Sequence, residues 1–344
     1  MRLLICTQVV DKDDLVLGFF HRWIEEFAKQ CENITVVCLK EGKHSLPDNV
    51  EVLSLGKEVG TSRVTRVWRF FRFIIARRNG YDAVFVHMNE EYVLLGGWLW
   101  KRWGKRVYMW RNHYIGSKRT DAAARWCNKI FCTSKFSYTM KYPKTELMPV
   151  GVDLERFVPL SDTSRDPRGI LFLSRMAPSK RLEVLLHALA LLKKDGIHCN
   201  AALYGSPQQE DEKYYESLKE LARVLGIDDM VAFHPGLPNS ETPRLYNSYS
   251  IFVNCSISGM FDKTLFEAAA CECIVVAASE DLGELVGDKF IFKAGDSREL
   301  AERLNTFLAL PVLERQGLGV TMRHMAEGHS LTKLAGRLAE EMSV

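Results

Sequence analysis

GILFLSRMAPSKRLEVLLHALALLKK, residues 169–194, decides the fold class. Gly169 to Leu173 is an apolar run of strand length, and Leu182, Leu185, Leu186, Leu189 and Leu192 then recur at helical spacing on one face. Between them lies a short loop with Arg175 and Lys180, and Ser179 is placed to cap the helix. A strand feeding a helix through a loop of this length is the opening half of a βαβ unit. Two cations at a helix mouth make either an anion site, most naturally for a diphosphate, or a solvated charged turn. Neither GxxxxGK[ST] nor GxGxxG occurs, so the loop is not a Walker loop or a dinucleotide fingerprint, and a dehydrogenase is disfavoured.

The same alternation runs outward in both directions. Before this unit the strands are Leu3 to Thr7, Ile34 to Leu39, Val50 to Leu53, Ala83 to His87, Arg106 to Trp110 and Lys129 to Cys132. After it come Asn200 to Tyr204, Val231 to His234, Ile251 to Asn254, Ile274 to Val276 and Phe290 to Ile291. The pattern breaks near residues 149–153, and the polar, proline-containing stretch 161–168 reads as a linker. The expected organisation is an α/β protein of two doubly wound, Rossmann-like domains facing a cleft. An N-terminal domain covers 1–160 and a C-terminal one 161–325, and a last helix over 326–344 packs back on the first.

Composition bounds the function. The 344 residues are 47% hydrophobic and 26% charged, ordinary globular values that exclude a disordered or fibrous chain. The uncharged stretch 245–261 carries Asn and Ser and falls short of the ~20 apolar residues of a membrane span. The opening residues 2–6 meet an acidic segment too early for a signal peptide. Nine scattered cysteines suit reduced thiols, and the expected location is cytoplasmic. Residues 1–150 hold 25 Lys+Arg against 15 Asp+Glu, whereas the remainder holds 21 against 28, so a basic half is joined to an acidic one.

A second segment, Ser256-Ile-Ser-Gly259-Met260-Phe261-Asp262-Lys263-Thr-Leu-Phe-Glu267-Ala-Ala-Ala-Cys271, precedes the strand Ile274 to Val276. Asp262 or Lys263 opens a helix, and Glu267 lies within it among small apolar residues. That carboxylate either accepts two hydroxyl hydrogens from a ribose diol or belongs to a buried ion pair.

Val150-Gly-Val-Asp153-x-x-Arg156-Phe157-x-Pro159, Ser174-Arg175-x4-Lys180, Tyr204-Gly205, residues 221–233 and Glu267-Ala-Ala-Ala-Cys271, taken together, resemble glycosyltransferase family 4. The likeness covers most of 147–285, and reaches the first half through Trp110-Arg111-Asn112-His113 and the helix Gly18 to Gln30. It implies the GT-B fold and a retaining transferase using a nucleotide sugar. By this resemblance Arg175 and Lys180 hold the donor diphosphate, Glu267 the ribose, and the loop with His234 and Leu237 lies beside the base. His113 contacts the donor sugar. Gly18, Gly259, Met260, Phe261, Asp262 and Lys263 complete the donor site, and His113, Arg175 and Lys180 are the catalytic set. Two departures stand out. Gly259 occupies the place of the first of the family's paired glutamates, so backbone amides near Gly259 and Lys263 are expected to take over its contacts. The glycine pair usual after the first strand is reduced to Gly18.

The resemblance implies transfer from a UDP- or GDP-sugar to a glycan or lipid-linked acceptor. The leaving diphosphate takes the acceptor proton, and cations rather than a metal or cofactor stabilise it. Asp11-Lys12-Asp13 reads as a solvated loop, not a metal site. The alternatives are a non-catalytic nucleotide-binding protein and a sugar-nucleotide 2-epimerase. Nucleic acid is not an expected partner. Residues 63–78 carry six arginines and no acid. As a helix, Val64, Val67, Trp68, Phe71, Ile74 and Ile75 share one half, expected to pack on the sheet. Arg63, Arg66, Arg69 and Arg72 share the other with Phe70 and Phe73, expected to meet an anionic membrane surface, with Trp98, Trp100 and Trp103 nearby.

Overall fold

The structure is a computed structural model that describes residues 1–259 and 261–343. It divides into two compact units, Met1–Gly151 with the closing helix Leu331–Ser343, and Val152–Ser330.

Unit 1 contains strands β1 (Arg2–Val10), β2 (Asn33–Glu41), β3 (Val50–Ser54), β4 (Ala83–His87), β5 (Arg106–Trp110), β6 (Lys129–Cys132) and β7 (Thr145–Leu147), and helices α1 (Phe19–Gln30), α2 (Arg63–Ala76), α3 (Glu90–Arg102) and α4 (Lys118–Ala124). The strands form one parallel sheet in the order β3-β2-β1-β4-β5-β6-β7 among the described residues. Every residue of β4 is buried, as expected for a strand covered on both faces. One face packs on Phe20, Trp23, Ile24 and Phe27 of α1, the other on Phe70, Ile74, Tyr92, Val93 and Trp100 of α2 and α3. The short β7 had no alternating pattern to announce it.

Unit 2 contains β8 (Asp166–Leu173), α5 (Leu182–Lys194), β9 (Asn200–Tyr204), α6 (Glu212–Val224), β10 (Val231–His234), α7 (Thr242–Ser248), β11 (Tyr249–Asn254), α8 (Lys263–Ala270), β12 (Ile274–Ala277), α9 (Glu280–Val286), α10 (Ser297–Ala309) and α11 (Val312–Glu327). Its parallel sheet runs β10-β9-β8-β11-β12. The leucine stripe of α5 is buried throughout. The expected strand at Phe290 to Ile291 is instead the end of a 3₁₀ turn touching β12 through a single bridge at Ala277.

The division at Gly151–Val152 falls ahead of the expected linker. Residues 152–160 belong to unit 2 because Phe157 is buried against Tyr246, ring centroids 5.9 Å apart, and the Leu160 amide donates to Asn247 at 2.8 Å. The last helix, α12 (Leu331–Ser343), returns to unit 1, where Leu334, Ala335, Leu338 and Met342 join the core beside α1.

The orientation expected for α2 holds at Ile74 and Phe71, which pack on the core, and is overturned at Val64, Trp68, Ile75, Phe70 and Phe73. Phe70, only 1% exposed, is wedged against Tyr92 and Trp100 with centroids 5.4 and 6.0 Å away, and Ile74 is fully buried. Phe73 also leans on this core. Val64, Trp68 and Ile75, expected inside, face outward at 79%, 58% and 42% exposure. Both halves of this helix are apolar enough to be buried, so the fit of Phe70 between the rings of α3 decides the rotation. Of the named arginines, Arg63 and Arg72 are exposed, Arg66 and Arg69 half-buried, and Arg69 donates to the Leu55 carbonyl at 3.3 Å.

Candidate functional site

In unit 2 the parallel strands deliver their carboxyl ends to one edge of the sheet. The chain turns there from β8 into residues 174–181 and from β11 into residues 255–262. These loops flank the point where strand order reverses, the usual ligand crevice of an open α/β sheet. Backbone bonds stitch neighbouring loops: Ser174 N–H to Tyr204 at 3.1 Å, Gly205 N–H to His234 at 3.1 Å, and Met176 N–H to Ser206 at 3.2 Å. A Cβ at Gly205 would fall 1.9 Å from the Ser174 carbonyl oxygen, so glycine is required for this approach.

Ser179 does not cap α5. Pro178–Lys180 forms a 3₁₀ turn, and Arg181 then adopts a left-handed conformation at φ +52° before the helix begins at Leu182. A bulky residue held there costs about 1–3 kcal/mol, which marks the turn as a constrained element. Lys180 donates to both carboxylate oxygens of Asp262, at 2.8 and 2.7 Å, and so ties the two loops across the switch point. Asp262 also accepts from Asn254 Nδ2 and Ser256 Oγ, each at 2.9 Å. Burial pushes this carboxyl up, but Lys180 and the two neutral donors outweigh it and hold it below the usual carboxylate range. Arg175 is exposed and donates to Gln208 at 3.1 Å.

Asp262 directly precedes α8, as the sequence led us to expect. Glu267, one turn into the helix and 3% exposed, accepts from Asn239 Nδ2 and Tyr246 Oη, each at 3.0 Å. Arg156 donates to the Asn239 side-chain oxygen at 3.3 Å, and its Nε lies 3.9 Å from Asp153. Burial raises the Glu267 carboxyl above its ordinary range despite Lys263, Asn239, Tyr246 and Arg156. Burial also pushes Lys263 down to about 8, against the opposing pull of Glu267 and Asp153. Each Glu267 oxygen has one protein donor and retains a second lone pair for a hydroxyl. Thr264 Oγ1 in the first turn of α8 is buried with no hydrogen-bond partner among the described residues.

Gly259 adopts φ +90°, as only glycine does readily. Its amide, expected to serve the donor, is aimed instead at the buried Asp281, 3.4 Å away, which also accepts from Ser279 Oγ at 3.2 Å. Phe261 is buried edge-on against Phe266 at 4.6 Å. His234 stacks on Tyr204 at 4.4 Å, and Leu237 is half-buried in the following loop. Met260 lies outside the described residues.

Two of the expected residues belong to unit 1. Gly18 precedes α1, its amide donating to Asp14 at 3.0 Å. His113 follows β5, stacks on Tyr114 at 4.8 Å, and accepts the Ile115 amide on Nδ1 at 2.9 Å, so its neutral ring carries the proton on Nε2.

Sequence reasoning missed the supports. Asn239, Tyr246, Asn254, Ser256 and Asp281 carry no spacing signal of their own. Asp153 and Arg156 stood inside a quoted motif, but only the fold shows Arg156 reaching Asn239.

Residues 159–320 match the family model described as glycosyl transferases group 1. A D-inositol 3-phosphate glycosyltransferase of Frankia alni is 34% identical over 148 residues, 40% of this chain and 36% of the relative. The mannosylfructose-phosphate synthase of Agrobacterium fabrum is 28% identical over 165 residues, 42% of this chain and 36% of the relative. The chain thus spans about a third of the length of these curated relatives. Among solved structures, Anabaena Alr3699/HepE in complex with UDP aligns over 100% of both chains with a TM-score of 0.79 and 17% identity. The sucrose-phosphate synthase of Thermosynechococcus elongatus aligns over 99% of this chain and 98% of its own, with a TM-score of 0.78 and 17% identity. The fold is of the GT-B class.

Proposed function

We propose that this chain, whose second unit belongs to the glycosyl transferases of group 1, is a retaining glycosyltransferase that moves a sugar from a UDP- or GDP-sugar to a glycan or lipid-linked acceptor. The observation that carries the reading is the cation set at the switch point of unit 2. Lys180 is fixed by Asp262 between the two loops, and Arg175 stands exposed in the same loop as Lys180.

A diphosphate is the ligand this arrangement serves best. The amino end of α8 brings a positive dipole, the unpartnered Thr264 hydroxyl and Lys263 to the same edge. Lys180 is held by a carboxylate in advance, so it needs little reorganisation to meet phosphate oxygens. Glu267, oriented by Tyr246 and Asn239, keeps two lone pairs for the ribose diol. As the sugar–oxygen bond breaks, the leaving diphosphate gains negative charge. The cations therefore bind the transition state more strongly than the donor. The diphosphate oxygen takes the acceptor's proton on the face it leaves, which retains the anomeric configuration and needs no carboxylate at position 259. His113 of unit 1 is assigned a role in the rate of transfer, and the cations do the work without a metal.

A thermal-shift panel of UDP-, GDP-, TDP- and CDP-sugars identifies the donor. A ligand at ~100 times its dissociation constant adds roughly 2.7 kcal/mol of apparent stability. Stabilisation by a UDP- or GDP-sugar, followed by turnover that persists in excess EDTA, is the expected result. No stabilisation by any member of the panel overturns the reading.

A further inference from the structure

The outward face of α2 and α3 in unit 1 was not absorbed by the proposed activity. Both helices pack on one face of the sheet through Phe70, Ile74, Tyr92, Val93 and Trp100, so their opposite faces turn to the same side. On that side Val64, Trp68, Ile75 and Trp98 are 79%, 58%, 42% and 50% exposed. At about 100° per residue Val64, Trp68 and Ile75 fall within an arc of about 40°, a stripe about 16 Å long. Arg72 flanks it, its guanidinium 5.1 Å from the centre of the Trp68 ring. Arg63, Arg72, Arg78, Lys101 and Arg102 are exposed and have no carboxylate partner among the described residues, whereas Arg77 next to them is paired with Glu51. The sequence holds no acidic residue from 59 to 81 or from 92 to 120.

We infer that this face docks on an anionic lipid bilayer, with Trp68, Trp98, Val64 and Ile75 entering the headgroup region and the flanking cations meeting lipid phosphates. The ring pair first expected to insert, Phe70 and Phe73, is excluded because both serve the core. Three features favour a bilayer over a protein. The apolar stripe is narrow, so it suits a deformable medium better than a broad flat interface. Tryptophan, with an apolar body and a polar N–H, suits the boundary between headgroups and chains. The unpaired cations fit a surface of diffuse negative charge. No described helix is long and apolar enough to cross a membrane, so the contact is peripheral. The inference is independent of the proposed activity, since it is read by binding alone.

Co-sedimentation with phosphatidylcholine vesicles, with and without phosphatidylglycerol, tests it. The wild-type chain is expected to bind the anionic vesicles only and to leave them as salt rises. Arg72→Ser should lower partitioning about fivefold and Arg72→Ser with Arg78→Ser about 25-fold, following the ~1 kcal/mol that each cation contributes near such a surface. The pair Trp68→Ser and Trp98→Ser should abolish binding even at low salt, while Leu313→Ser, more exposed still but in unit 2, should leave it unchanged. All of these side chains are on the surface, and circular dichroism checks that the variants stay folded. Equal binding to neutral vesicles, no binding to either kind, or indifference to the tryptophan pair overturns the inference. So does a homodimer, seen by light scattering and dissolved by Trp68→Ser, in a chain that ignores vesicles.

Discussion

Two basic regions of this chain look alike as sequence and differ as structure. In the 174–181 loop Lys180 is only 15% exposed and held by an acid 82 residues away, which is itself fixed by two further donors. On α2 the exposed cations stand beside outward tryptophan and aliphatic side chains with no such partner. A preorganised cation suits a small ligand that must be bound in one pose, because the cost of ordering it is met by the fold. A loose row of cations suits an extended surface that asks for charge but not for geometry. The number of positive charges does not separate a site from a surface; their anchoring does.

The sharpest way to break this comparison is at Lys180. Lys180→Ala should lower kcat/KM about 10- to 150-fold, the value of one charge-assisted hydrogen bond to the leaving diphosphate. It should also lower the melting temperature, because Asp262 is left without its counter-ion. Adding Asp262→Ala is expected to recover stability but not activity. If the double variant regains both, Lys180 is only a strut. Arg175→Ala, which has no such partner, should lose activity without losing stability.

Next in size is Glu267→Gln. Losing the charge while keeping one acceptor oxygen should weaken nucleotide binding about 4- to 12-fold, measured by calorimetry with the free nucleotide. Unchanged affinity would return Glu267 to the buried-network role that Tyr246 and Asn239 already give it.

Lys263 supplies a pH test. Its proton is lost near pH 8 rather than near the ordinary lysine value, so the cation available to the diphosphate disappears as pH rises through about 8. The kcat/KM profile should therefore fall on its alkaline limb there. Lys263→Arg, which stays protonated, should move that limb upward. A profile identical in both proteins would separate Lys263 from the chemistry.

The smallest effect is expected at His113. His113→Ala should lower kcat about 2- to 12-fold and leave nucleotide affinity unchanged, since the nucleotide is assigned to groups of unit 2. A loss confined to nucleotide binding would refute this division of labour.

Much of the candidate site in unit 2 was legible because its residues sit where local rules put them. Arg175 and Lys180 follow a strand whose end is marked by the switch to leucine spacing, and Glu267 is conspicuous as a carboxylate among alanines. Asn239, Tyr246 and Asp281 were not legible, since a polar side chain becomes part of a site only through neighbours brought from elsewhere in the chain. Gly259 shows the limit from the other side. Its left-handed backbone was foreseeable in kind, but only the fold reveals that its amide faces Asp281.

The sequence by itself determined the α/β alternation, the two parallel sheets and the buried leucine face of α5, because hydrophobic period is local and a single apolar stripe leaves one way to pack. Tertiary structure alone decided which side of α2 is buried and that Lys180 meets Asp262. In α2 either half satisfies the hydrophobic rule, so the choice falls to the shape of the gap between Tyr92 and Trp100. The ion pair joins loops that follow different strands, and nothing in either segment specifies its partner until the order β8-β11 brings them side by side.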